Sequence, residues 1–147
     1  MRTGVILYLD TSSLLKLYFQ EEGTSAVRAL TDQARILASS MIAYVETRSG
    51  LVRGHRGGRL TDEAYAVALG AFETDWRTYV VRDVTEVLVR RAAGLAERHL
   101  LHGPDAIHLA SAVILQRELG EAVTFLAADN RLRTAAADEG LLLAATF

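Results

Sequence analysis

Short apolar runs, each followed by residues at helical spacing, constrain this chain more than any other feature. Val5-Ile6-Leu7-Tyr8-Leu9 reads as a buried strand, and Ile36-Leu37-Ala38, Tyr79-Val80-Val81, Val123-Thr124-Phe125-Leu126 and Leu141-Leu142-Leu143-Ala144 as further short strands. Helices are predicted between them. Asp10-Thr11-Ser12-Ser13 caps one that carries Leu14, Leu15, Leu17 and Tyr18, and Ser25 to Gln33 forms the next. Ser39-Ser40 caps a third, from about Met41 to Arg53, with Met41, Ile42, Val45 and Val52 on one apolar face. Thr61-Asp62-Glu63 opens a fourth, Ala64 to about Thr74, and Thr85 caps a fifth that reaches about His99. Gly103-Pro104-Asp105 starts a sixth, ending near Gly120; proline at a first helical position loses no needed hydrogen bond. A short one covers Leu132 to Glu139. Strands alternating with helices mean an α/β fold with a mostly parallel sheet.

The length of 147 residues suits one domain over residues 1–147, and no repeat or linker interrupts it. No apolar run approaches the ~18 residues of a membrane span. Met1-Arg2-Thr3-Gly4 leads straight into the first strand without the pattern of a signal peptide. Cysteine is absent, which excludes disulfides, thiolate catalysis and zinc–thiolate sites. A cytoplasmic protein with no membrane partner is expected. Net charge is −2, and all but Lys16 of the 16 basic residues are arginine. That bias fits either codon usage or phosphate recognition, for which the guanidinium fork is favoured. No Gly-x₄-Gly-Lys-Ser/Thr or Gly-x-Gly-x-x-Gly loop is present. A phosphotransferase beginning Asp-x-Asp fails at Ser12, and both it and a receiver domain lack the downstream lysine.

Four acids stand out. Asp10 and Asp129 end predicted strands, at the sheet edge where open α/β folds bind ligands. Asp105 lies in a first helical turn, and Glu46 lies mid-helix among Ala43, Tyr44, Val45 and Leu51. Each has a simpler reading: a helix cap for Asp10, a turn residue for Asp129, a complement to a helix dipole for Asp105, a solvated face for Glu46. Brought to one crevice, the four carboxylates would repel one another unless a cation were bound. Hard oxygen ligands suit Mg²⁺ or Mn²⁺. Such an ion activates water and offsets charge on a phosphoryl oxygen. Setting those acids aside leaves the rest of the chain mildly basic, which suits a polyanionic substrate.

Leu9-Asp10-Thr11-Ser12, Tyr44-Val45-Glu46, Pro104-Asp105-Ala106-Ile107-His108-Leu109-Ala110-Ser111-Ala112 and Phe125-Leu126-Ala127-Ala128-Asp129-Asn130-Arg131-Leu132 resemble PIN-domain proteins. Within that family the likeness is to VapC-type toxins of bacterial toxin–antitoxin pairs, from about Val5 to Phe147. The resemblance implies a three-layer α/β/α fold and a Mg²⁺-dependent endoribonuclease, usually dimeric and silenced by a cognate antitoxin. The family's acidic quartet falls on Asp10, Glu46, Asp105 and Asp129, and its first-helix hydroxyl on Thr11 or Ser12. Two positions depart from the pattern. Ala127 stands where Thr or Ser is common, and Gly103-Pro104 replaces more polar residues. A scaffold that binds RNA or protein without cutting is the alternative, supported by Ala127.

On this reading Asp10 and Asp105 hold the principal ion, and Glu46 and Asp129 complete the site. His108, one turn after Asp105, touches substrate, acts as a general acid, or is a structural histidine bonded to a backbone carbonyl. Arg48, Arg53, His55, Arg56 and Arg59, interleaved with Gly54, Gly57 and Gly58, form the densest basic stretch. RNA contact, antitoxin contact and a plain solvated, mobile turn all fit it. Arg131 and Arg133 could flank the cleft. Leu14, Leu15, Leu17 and Tyr18 exceed one helix face, so some are expected at a dimer or antitoxin interface, or all in the core.

Overall fold

The structure is a computed structural model and describes residues 3–145. Met1 and Arg2, ahead of the first strand, and Phe147, where the family likeness ends, lie outside the described residues. In chain order the elements are β1 (Ile6–Leu9), α1 (Thr11–Leu15), α2 (Thr24–Gln33), β2 (Ile36–Ser40), α3 (Ile42–Arg56), α4 (Asp62–Trp76), β3 (Val80–Arg82), α5 (Glu86–His99), α6 (Gly103–Leu119), β4 (Val123–Leu126), α7 (Asn130–Asp138) and β5 (Leu142–Leu143). No helix among the described residues is long and apolar enough to cross a membrane.

The five strands form one sheet, ordered β3-β2-β1-β4-β5, with every pair parallel. Successive residues of β1 serve opposite faces. Ile6 and Tyr8 join Leu109, Phe125 and residues of α5, α6 and α7. Leu7 and Leu9 join Leu14, Val27, Leu51 and Phe72, from α1 to α4. A strand covered on both faces needs apolar side chains throughout, which is why β1 reads as a continuous run. The result is a three-layer α/β/α domain.

The chain steps outward from β1 to β2 and β3, then returns to lay β4 on the other side of β1. The reversal lies between β1 and β4, and a crevice opens beyond the carboxyl ends of such a strand pair. Leu9 is in register with Leu126, and the Asp10 amide donates to the Leu126 carbonyl at 3.3 Å.

Several local expectations are corrected. The first helix stops at Leu15, and Lys16, Leu17 and Tyr18 continue as i→i−3 turns. Leu14 and Tyr18 are core residues, while Leu15 and Leu17 are half-buried against the same cluster. Ser39 and Ser40 end β2; Ser40 Oγ still accepts from the Ile42 amide at the start of α3, at 3.3 Å, while Ser39 Oγ donates to the Leu9 carbonyl at 2.8 Å. Helix α3 runs on to Arg56, and its buried face is Ala43, Thr47, Leu51 and Gly54. Met41 and Val45, expected on the buried face, are 44% and 64% exposed. Small residues decide this. A Cβ on Gly50 would stand 2.8 Å from Leu15 Cδ1, and one on Gly54 would overlap the Phe19 ring. Close approach of α3 to α1 therefore selects the glycine face over the larger aliphatics. The turn after α3 is held by Arg59 and Leu60 amides donating to the Gly54 carbonyl, at 2.9 and 3.2 Å.

Candidate active site

Asp10 follows β1 and caps α1. Its Oδ1 accepts from the Ser13 amide at 3.0 Å, and Ser12 Oγ donates to Oδ1 and Oδ2 at 3.0 and 3.1 Å. The residue is 5% exposed. Asp129 follows β4 and caps α7, accepting from the Leu132 amide at 2.9 Å. Both capping roles are real, and both follow from an acid placed where a strand gives way to a helix N-terminus. Asp105 enters from the other layer, in the first turn of α6, where proline fixes the backbone. Its carboxyl is held above the usual carboxylate range, by burial first and then by the charges of Asp10 and Asp129. The sheet reversal and the start of α6 thus bring three like charges into one electrostatic neighbourhood.

Glu46 reaches the same edge from α3 but is held by different partners. Thr11 Oγ1 donates to its Oε1 at 2.5 Å, and His108 Nε2 lies 3.3 Å from the same oxygen. The His108 hydrogen bond lowers the Glu46 pKa most; burial opposes it and Thr11 adds to it. The helix face is therefore turned toward α1 and α6 rather than into solvent. His108 is buried and does not take the backbone-carbonyl role allowed for it. Its Nδ1 lies 2.8 Å from the Tyr8 hydroxyl, and its Nε2 lies 3.0 Å from Thr11 Oγ1. Sequence reasoning missed Tyr8. The one available signal was a phenol in a strand whose other members are aliphatic.

Among the described residues, no three acidic or histidine side chains stand close enough, as placed, to ligate one ion. The donor set nonetheless suits a hard divalent cation: carboxylate oxygens on Asp10, Asp105 and Asp129, with Asp105 held high by burial and then by repulsion from the other two. A bound cation would relieve that repulsion.

Two shallow grooves meet at Leu15 and Arg53. One is lined by Thr11, Ser12, Val45, Glu46 and Ser49, the other by Phe19, Glu21, Gly50, Gly54 and Arg59. Arg59 lies over the Phe19 ring, 4.2 Å from its centroid. Arg56 sits in the last turn of α3 and is exposed. Arg131 lines a cleft with Asp105, Asp129 and His102, and donates to the Leu100 carbonyl at 3.1 Å. Arg48 and Arg133 are engaged within the fold. Arg48 pairs with Glu73 at 2.7 Å, and Arg133 donates to the Ala127 and Ala144 carbonyls, both at 3.1 Å.

The PIN domain family model matches residues 7–138. The chain is 34% identical over 140 residues to ribonuclease VapC45 of Mycobacterium tuberculosis, covering 95% of this chain and 94% of that one. Among solved structures it resembles the sarcin-ricin-loop-cleaving toxin VapC20 of Mycobacterium tuberculosis, with a TM-score of 0.63, 21% identity and coverage of 88% and 94%. A toxin–antitoxin complex from Klebsiella pneumoniae gives a TM-score of 0.58 at 21% identity, covering 84% and 86%. With the model spanning most of the sheet and its helices, and a relative matched nearly end to end, the chain belongs to the PIN-domain family, in its VapC branch.

Proposed function

We propose that this protein is an endoribonuclease, the toxin of a toxin–antitoxin pair, dependent on Mg²⁺ or Mn²⁺. The observation that carries the reading is the gathering of Asp10, Asp105 and Asp129 at the β1/β4 reversal, where Asp105 and Asp129 line one cleft and the Asp105 carboxyl is held high by burial and then by the other two charges. Relatives named as ribonucleases and a neighbouring toxin–antitoxin complex support the substrate and the partner.

Asp10 and Asp105 would hold the principal ion, with Asp129 and Glu46 completing the site directly or through water. When bound, such an ion lowers the pKa of a water and offsets charge on a phosphoryl oxygen. The chain's own groups do the rest. Asp10 is fixed by Ser12 and the Ser13 amide, so its free lone pairs keep one direction. Glu46 stays ionised and oriented by His108 and Thr11, ready to position the attacking water. Water attacks phosphorus in line, the bond to the 3′ oxygen breaks, and the released proton ends on that oxygen. The products are a 5′-phosphate and a 3′-hydroxyl. Arg53, Arg56, Arg59 and Arg131 supply phosphate contacts on either side of the acids, or meet the antitoxin there. A homodimer in the cytoplasm is the form in which we place this activity.

The test incubates purified, antitoxin-free protein with structured cellular RNAs in Mn²⁺, in Mg²⁺ and in EDTA, beside Asp10→Ala. Metal-dependent cutting is expected, weakened in the variant by more than the roughly 100-fold typical of a residue one shell removed. A folded Asp10→Ala protein that cuts as well as the native chain overturns the site. No cutting from a broad RNA pool favours a scaffold that binds without cleaving.

A further inference from the structure

Tyr8 is 0% exposed, stacked on Phe125 with ring centroids 5.5 Å apart, and set edge-on to His108 at 5.8 Å. Its neighbours in β1 are Leu7 and Leu9, and an aliphatic side chain there would bury as well. A phenol at such a position carries a polar tip that must be bonded. That tip meets His108 Nδ1 at 2.8 Å.

The proton positions follow from the partners. A carboxylate only accepts, so the 3.3 Å contact to Glu46 Oε1 calls for a hydrogen on His108 Nε2. Thr11 gives its single hydroxyl proton to Glu46 at 2.5 Å, so its oxygen accepts from Nε2 at 3.0 Å. Both contacts thus place the hydrogen on Nε2, shared between Thr11 and Glu46. A neutral ring then leaves Nδ1 bare and in need of a donor. The serine hydroxyls nearest the phenol, those of Ser39 and Ser111, donate to the Leu9 and Ile107 carbonyls, at 2.8 and 2.7 Å. The phenol proton remains for Nδ1.

We propose that Tyr8 is a positioning residue of this site. Its hydroxyl donates to His108 Nδ1, holds the Nε2–H ring in place, and through that ring sets the direction of the Glu46 carboxylate. One strand therefore supplies the acid Asp10 and, two residues earlier, the group that orders the opposite wall of the cleft. The effect on cleavage rests on the nuclease reading above; the tautomer does not.

Long-range ¹H–¹⁵N spectra of histidine-labelled protein, on the neutral ring and without metal or RNA, read the tautomer directly. The native chain is expected to carry the His108 hydrogen on Nε2 with a hydrogen-bonded bare Nδ1, and in Tyr8→Phe the hydrogen should stay largely on Nε2 while the Nδ1 resonance moves to the shift of an unbonded ring nitrogen. Tyr8→Phe should also slow RNA cleavage about tenfold, the scale of removing a supporting partner. In a His108→Gln background, whose amide N–H needs no tautomer, Tyr8→Phe should change cleavage by less than about twofold. A native ring with its hydrogen on Nδ1, an unchanged spectrum in Tyr8→Phe, or two substitutions whose effects simply multiply would each overturn the proposal. If Tyr8→Phe fails to fold, the native spectrum alone decides. If the native chain cuts no RNA while the spectra behave as stated, the nuclease reading fails and the assignment of Tyr8 to the ring stands.

Discussion

At Asp105 stability and activity pull apart. Burial and two like charges raise its pKa, so the folded state holds the charged form less comfortably than the unfolded chain does. Removing that charge should relieve the fold and disable the site. Asp105→Asn is therefore expected to melt higher than the native protein at neutral pH without metal, and to lose RNA cleavage. Thermal denaturation beside a cleavage assay checks both halves; a variant that melts lower argues that the carboxylate is not under strain. Mn²⁺ should raise the native midpoint and leave the variant's nearly unmoved, since a ligand stabilises only the state that binds it. The acids themselves were legible in the sequence. Asp10 and Asp129 stood at strand ends, and Asp105 stood behind a proline that marks a helix start. Tyr8 was not legible, because its role depends on a ring delivered from residue 108, a hundred positions along. The bond from Thr11 to Glu46 was hidden for the same reason: no local pattern records which helix faces which.

Among the elements, α3 shows where pattern reading failed. Its larger aliphatics suggested one buried face, yet the helix buries the face bearing Gly54, with Gly50 also against α1. Close packing, rather than hydrophobicity, set the rotation. Gly54→Ala should clash with Phe19 and cost about 1–3 kcal/mol, the usual range for overpacking, measured by denaturant unfolding. A neutral outcome would mean that the Phe19 ring can retreat. A second element-scale link ties α5 to α7. Glu139 accepts from His99 at 2.7 Å and from Arg98 at 3.0 Å. The His99 contact chiefly holds its pKa below the usual glutamate range. A lowered folded-state pKa adds stability that is present above the unfolded pKa and is lost as pH falls through the folded value. Glu139→Gln should cost about 1 kcal/mol near neutrality, discounted for partial exposure, and the difference from the native chain should vanish in acid. Melting both proteins across pH 3–7, a range about the ordinary glutamate pKa, tests the sign. Strand existence and order of elements were readable because buried parallel strands advertise themselves as short apolar runs. Their ends drifted by a residue or two, since caps and strand termini draw on the same Ser, Thr and Asp.

Over the whole molecule, an acidic cleft is flanked by arginines on α3, the turn after it and α7, although the net charge is −2. Local charge, not the total, governs how a polyanion docks. If Arg53 and Arg56 contact phosphates, replacing both by Ala should flatten the slope of log affinity against log salt by about 1.4, from roughly 0.7 per single-strand phosphate. Binding measured on a catalytically dead Asp10→Ala background gives that slope, and an unchanged value returns these arginines to solvent or to the antitoxin. The strand order has one more consequence, and it concerns synthesis. β1 emerges first and can pair with β2, and β2 with β3, early, but the other neighbour of β1 begins only at Val123. Asp10 and Glu46 leave the ribosome long before Asp105 and Asp129 exist. A nascent or prematurely ended chain thus holds three of the five strands and two of the four acids, and on the nuclease reading the site is completed only when translation is nearly done.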